Sequence, residues 1–146
     1  MIFVDSSAWI ARELPADRRH EEALAAFRRA RTGELGALVT SDYVMSEGLT
    51  IVRMDAGLEA AETLASRVFE SPHVRLLWTT APDFRSAWSL MQERRDKRWS
   101  LVDCVSFVHM AALGIAKAMT FDDNFAEAGY EVFPVKERGR KRPERA

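Results

Sequence analysis

Ile2-Phe3-Val4-Asp5-Ser6-Ser7 is the stretch from which the rest of the chain is read. Three apolar residues run directly into an acid and two hydroxyls. A short apolar run that stops at a turn signal predicts a buried strand. Such a strand has no polar face, which suits a parallel sheet covered by helices on both sides. In open sheets of this kind ligands bind outside the carboxyl ends of the strands. Asp5 stands at that end of the first strand. A simpler role competes with this one. Asp5 or Ser6 is also suited to cap the helix that begins near Ala8, because Asp and Ser accept hydrogen bonds from the first free N–H groups of a helix. The choice turns on whether other acids arrive at equivalent places.

Outward from this strand the chain alternates. A short helix over Ser7 to Leu14 is stopped by Pro15, and a second covers Arg18 to Arg31 with Ala23, Leu24, Phe27 and Ala30 on one face. Ala37-Leu38-Val39 reads as a second strand. Thr40-Ser41-Asp42 offers caps for a helix over Tyr43 to Asp55, and Gly57 separates it from another over Leu58 to Glu70. Val74 to Thr79 is a third strand, and Pro82 at a first helical position opens a helix running to Arg95. Ser100 begins an apolar helix that ends at Leu113, with Gly114 as a left-handed cap. Ala118-Met119-Thr120 gives a fourth strand, Asp122 to Ala128 a helical turn, and Glu131 to Val135 a fifth strand. This order predicts a three-layer α/β/α sandwich with a mainly parallel central sheet of four to five strands.

A chain of 146 residues suits one domain, expected over 1–135, followed by a flexible basic tail over 136–146. That tail holds six basic and two acidic residues, a local charge of +4, which leaves −5 on the body within a net −1. The tail is either a solvated end or a contact for phosphates. The single cysteine allows no disulfide framework within the chain, which fits a reducing cytoplasm. The N-terminus lacks a basic n-region and its apolar run stops at Asp5, so neither signal peptide nor anchor is expected. No apolar stretch approaches the roughly 18 residues needed to span a membrane.

Four acids stand out by position. Asp5 follows the first strand, Glu47 lies in the helix after the second, Asp103 opens the helix before the fourth, and Asp122 follows the fourth. Glu47 sits between Val44 and Ile51 on the apolar stripe of its helix. A carboxylate there must meet a cation, carry a proton or escape to the rim. Ser100-Leu101-Val102-Asp103 has the spacing of a capping box, with Asp in place of Glu or Gln. Asp122 and Asp123 can serve a turn before Asn124-Phe125. Each acid thus has a structural role of its own. Brought together, four carboxylates cannot all stay ionised unaided. A hard divalent cation, Mg²⁺ or Mn²⁺, resolves the repulsion, and the absence of His and Cys from the set argues against zinc.

Val4-Asp5-Ser6-Ser7, Ser46-Glu47, Ser100-Leu101-Val102-Asp103 and Thr120-Phe121-Asp122-Asp123-Asn124-Phe125 together resemble the PIN-domain ribonucleases, most closely the VapC-type toxins of bacterial toxin–antitoxin modules. The resemblance runs from Ile2 to about Val135. It implies an endoribonuclease dependent on Mg²⁺ or Mn²⁺, with Asp5, Glu47, Asp103 and Asp122 as its acidic site. Asp5, Asp103 and Asp122 would hold the metal, and Glu47 would bind a second ion or orient the attacking water. Ser6, and less directly Thr120, would support them. Asp122 is preferred to Asp123 because the family pattern sets the acid two residues after the Thr and three before the Phe. The resemblance also implies an RNA substrate, a cognate antitoxin and a homodimer.

Other residues receive plainer readings. Cys104 is expected to be a small buried hydrophobe, His109 to be packed in its helix, and His20 and His73 to lie at the surface. Trp9, Trp78, Trp88 and Trp99 belong to core or interface, and Trp99 is also a candidate to stack on an RNA base. Arg12, Arg53, Arg94, Arg95, Lys97 and Arg98 are candidates for an RNA path. An aspartyl-phosphate enzyme similar to the haloacid dehalogenases is disfavoured, because Ser7 occupies the place of its second Asp. The same residues are compatible with an RNA-processing nuclease that has no antitoxin. A non-catalytic PIN-like binding module is a further reading, which the four acids argue against.

Overall fold

The structure is a computed structural model, and it describes residues 1–135. The basic tail therefore lies outside the described residues. Strand β1 (Ile2–Val4) is wholly buried, as its unbroken apolar run requires. It lies between β2 (Leu38–Ser41) and β4 (Lys117–Met119), with β3 (Val74–Leu77) beyond β2 and β5 (Glu131–Phe133) beyond β4. Every pairing is parallel, in the order β3-β2-β1-β4-β5. Phe3 pairs with Val39 on one side and Ala118 on the other. The chain thus builds the sheet outward from β1 in one direction, then returns to build in the other. The junction of β1 and β4 is the switch point, where open α/β sheets place their ligands.

Among the described residues seven helices connect the strands: α1 (Ser6–Glu13), α2 (His20–Arg31), α3 (Asp42–Ala56), α4 (Leu58–Phe69), α5 (Ala81–Glu93), α6 (Leu101–Leu113) and the short α7 (Asn124–Glu127). No helix among the described residues is long and apolar enough to cross a membrane. The core beneath β1 is aromatic. Phe3 stacks on Phe125 at 6.4 Å, Phe107 meets Phe125 edge-on at 5.1 Å, and Trp99 meets Phe107 edge-on at 5.0 Å. Such edge-on pairs are favoured by the ring quadrupole. Gly114 ends α6 in the left-handed conformation, with φ of 64°, as a glycine C-cap should.

All the expected elements are present, with shifted bounds, and the shifts have polar causes. Strand β2 runs on past Val39 through Thr40 and Ser41, both fully buried. Their hydroxyls are satisfied: Thr40 donates to the Val4 carbonyl at 2.9 Å, and Ser41 accepts the Val44 N–H at 3.2 Å as the cap of α3. Strand β3 stops at Leu77, short of Thr79, because the Thr79 N–H and hydroxyl both turn to Asp42. Helix α2 begins two residues late because the Arg19 N–H is held by the Asp17 carboxylate at 2.8 Å, in a turn. Strand β5 stops at Phe133, before Pro134, which has no N–H to donate to the ladder.

Candidate active site

The site is built from the carboxyl ends of β1 and β4 and the first turns of α1 and α6, with α3 closing one side. Asp5 occupies the N-cap position of α1, yet its side chain caps nothing. Its backbone carbonyl takes the first helical N–H groups, those of Ala8 and Trp9. This frees the carboxylate, which is only 3% exposed. Ser7 Oγ donates to Asp5 Oδ2 at 2.9 Å, Thr120 Oγ1 to the same oxygen at 3.0 Å, and Ser6 Oγ lies 3.4 Å from Oδ1. Ser7 Oγ in turn accepts the Phe121 N–H, and Thr120 Oγ1 accepts the Asp122 N–H, each at 3.0 Å. The two hydroxyls therefore button the β4–α7 turn onto Asp5. Burial pushes the Asp5 carboxyl up to about 6. The Ser7 and Thr120 hydroxyls oppose the rise and the Asp103 charge adds to it.

Asp103 is the third residue of α6 and closes a complete capping box with Ser100. Its N–H donates to Ser100 Oγ and its Oδ2 accepts the Ser100 N–H, both at 3.0 Å. The capping role is thus real, and it is only part of what Asp103 does. Oδ2 also accepts from the Asn124 side-chain amide at 2.8 Å. Burial raises the Asp103 carboxyl above its ordinary value, the Ser100 N–H and the Asn124 amide resist, and the nearby Asp122 charge adds to the rise. Asp122 Oδ1 accepts the Asn124 backbone N–H at 3.2 Å. Asn124 so ties two acids together, one through its side chain and one through its backbone.

Glu47 does not border the core as its helical neighbours suggest. Ile51, one turn on, is 37% exposed, so this part of α3 has reached the rim. There Glu47 Oε1 accepts a 2.5 Å hydrogen bond from Ser6 Oγ. Ser6 stands between Asp5 and Glu47, where it can orient both.

All four acids line one cleft of about 320 Å³, together with Ser6, Ser7, Arg98 and Asn124. Asp123 is exposed and occupies the N-cap position of α7. A larger, shallow hollow of about 530 Å³ is lined, among the described residues, by α4 alone. Among the described residues, no group of three His, Cys, Asp or Glu side chains is arranged to hold a metal ion directly. The donor set nevertheless fits a hard divalent cation. It is all carboxylate and hydroxyl oxygen, its two buried acids are destabilised as anions, and Mg²⁺ keeps several waters and needs only one or two direct carboxylates.

Several expectations are met here and others corrected. Cys104 is fully buried and its thiol is pushed up to about 11 by burial, which makes it inert. His109 is buried, 3.0 Å from the Thr79 hydroxyl. Trp99 cannot stack on a base: it is 5% exposed, donates to Glu127 at 3.3 Å and lies under the Arg94 guanidinium. Trp9 is core, whereas Trp78 and Trp88 are exposed. Of the six candidate cations for an RNA path, Arg98 lines the cleft. Asn124 and Ser7 belong to the site although the pattern of acids does not single them out. The Asx-type spacing Asp122-Asp123-Asn124 and the doubled serine after Asp5 are the signals in the chain that point to them.

The PIN domain family profile matches residues 2–130. A curated relative, the 23S rRNA-specific endonuclease VapC20 of Mycobacterium tuberculosis, is 34% identical over 135 residues, covering 92% of this chain and 99% of VapC20. The crystal structure of VapC20, a sarcin-ricin loop cleaving toxin, superposes with a TM-score of 0.80 at 32% identity, over 89% of this chain and 96% of that one. The structure of FitAcB from Neisseria gonorrhoeae shares the fold, with a TM-score of 0.63 at 18% identity over 91% of this chain and 96% of that one. The aspartyl-phosphate reading falls with these matches. A parallel five-stranded sheet with acids gathered at its switch point, a family match spanning nearly all the described residues and a relative aligned over its full length agree: the chain belongs to the PIN-domain family.

Proposed function

We propose that this chain is an endoribonuclease and the toxin of a toxin–antitoxin pair, with Asp5, Asp103 and Asp122 holding Mg²⁺ or Mn²⁺ directly or through its bound waters and Glu47 binding a second ion or orienting the attacking water. The observation that carries the reading is the convergence of all four acids on one cleft at the β1–β4 switch point. A divalent cation bound there supplies an acidified water and charge stabilisation for the leaving oxygen. The protein's own part is positional. Thr120 and Ser7 fix the Asp5 carboxylate, Asn124 and the Ser100 box fix Asp103, and Ser6 holds Glu47 at the rim, where a water can reach it. Such fixed geometry is what makes an in-line attack efficient.

Likeness to VapC20 makes a ribosomal RNA loop the first substrate to try. A cognate antitoxin as inhibitor, assembly as a homodimer and action in the cytoplasm belong to the same reading. The test is expression of the chain with and without Asp5→Asn, followed by mapping of RNA 5′ ends. Growth arrest with a discrete cleavage site only in the unmutated form supports the reading. Identical RNA profiles for the two forms favour the non-catalytic binding module.

A further inference from the structure

We propose that Arg98 grips an RNA phosphate beside the acidic centre and so governs substrate binding. The proposal rests on the nuclease reading above. RNA must bring negative phosphates into a cleft walled by Asp5, Glu47, Asp103 and Asp122. Coulomb repulsion opposes this, so a fixed positive charge at the rim is needed to hold the backbone. Among the described residues that line the cleft, Arg98 is the one cation.

Three features distinguish it from an ordinary surface arginine. First, its side chain is exposed and makes no hydrogen bond or ion pair with any described residue. It shares the cleft with four carboxylates and forms no ion pair with any of them within 4.0 Å. Second, the chain that carries it is fixed on both sides. Arg94 grips Asp96 with two hydrogen bonds at 3.0 Å, and the Lys97 N–H donates to the Arg94 carbonyl at 3.0 Å. On the far side Trp99 is buried against Phe107, and Ser100 begins the capping box that holds Asp103. A free guanidinium on an anchored loop is pre-organised, so little backbone entropy is lost when it binds. Third, Arg94 is committed to Asp96 and the Trp99 ring, Arg95 donates to the Gln92 carbonyl at 3.3 Å, and Lys97 is not among the residues that line the cleft. The planar guanidinium fork matches two phosphate oxygens in a way that an ammonium does not.

Binding of a ribosomal RNA hairpin tests this in a chain that cannot cleave it. Asp5→Asn and Asp5→Asn/Arg98→Ala are compared across a salt series without added metal. Loss of one charge-assisted phosphate contact should weaken binding about tenfold. The slope of log affinity against log salt should become shallower by about 0.7. Arg98→Lys should restore the slope but only part of the affinity. In the otherwise unmutated chain, Arg98→Ala should raise KM for RNA while the Mn²⁺ concentration for half-maximal activity stays put. Unchanged affinity and slope would overturn the proposal. So would activation at lower Mn²⁺ with KM unmoved, which would make Arg98 a charge partner of the acids. Absence of cleavage by the unmutated chain would overturn the nuclease reading instead, and the binding comparison would still decide the role of Arg98.

Discussion

Thr120 Oγ1 donates to Asp5 Oδ2 at 3.0 Å, across 115 residues of chain. The same hydroxyl accepts the Asp122 N–H at 3.0 Å. One side chain thus links the acid that ends β1 to the acid that follows β4. A short polar residue at the end of a strand would ordinarily mark a turn. Here it fixes the distance between two elements that meet only in the folded sheet.

Removing that link should be felt in both stability and chemistry. In Thr120→Val the Asp122 N–H loses its acceptor and Asp5 loses a donor. Chemical denaturation should show a loss of about 1–3 kcal/mol. The Thr120 hydrogen bond holds the Asp5 carboxyl down, so without it Asp5 should ionise at still higher pH. The acid limb of the cleavage profile, at fixed metal concentration, should move upward.

Asp5 also sets a pH dependence of the metal-free fold. Its carboxyl is raised from 3.8 to about 6. Between those values the folded state holds a proton that the unfolded state has released. Stability therefore falls as pH rises through this window, by roughly 3 kcal/mol at about 1.4 kcal/mol per unit. Asp5→Asn should remove the Asp5 share of the decline, leave the share set by the raised Asp103 carboxyl, and stand above the unmutated protein at neutral pH. Thermal unfolding in chelator from pH 4 to 7 measures this, and parallel curves for the two forms would contradict it. His109 acts with the opposite sign. Burial lowers it below its ordinary 6.5, so its contribution is present above 6.5 and is lost as pH falls. His109→Gln should flatten that second slope only.

The two adjacent acids after β4 should behave differently. Asp122 lines the cleft and is held by the Asn124 N–H, whereas Asp123 is exposed. Asp122→Asn should lower RNA cleavage by two orders of magnitude or more, in line with loss of an electrostatic contact that acts at the transition state. Asp123→Asn should stay within a few-fold of the unmutated rate. Loss at Asp123 with Asp122 spared would place the site one residue further on, and equal losses would make both acids part of it.

Legibility from the chain followed the range of the interactions. The order of strands and helices was legible because apolar runs, caps and breakers act locally. Ser100 and Asp103 form the expected box, and Gly114 the expected left-handed cap. Asp5, Asp103 and Asp122 could be singled out because each sits at an element end, and Glu47 because it interrupts the apolar stripe of α3. The contacts that make them a site could not. Asn124 reaches Asp103 across 21 residues, Ser6 reaches Glu47 across 41, and Thr120 reaches Asp5 across 115. No periodicity encodes such pairings. Trp99 meets its expectation of core, and only its second reading, as a platform for RNA, falls. Its basic neighbours suggested a platform for RNA, while the aromatic core beneath it claimed the ring.

On the proposed reading, the cleft joining Asp5, Glu47, Asp103 and Asp122 cleaves RNA with a divalent cation. The most direct measurement is cleavage of a purified ribosomal RNA loop, with Mn²⁺ or Mg²⁺ and with chelator, by the unmutated protein and by Asp5→Asn. A single new 5′ end that requires the cation and vanishes in the folded Asp5→Asn protein is the predicted result. Cleavage that persists in chelator, or at full rate in Asp5→Asn, would contradict it.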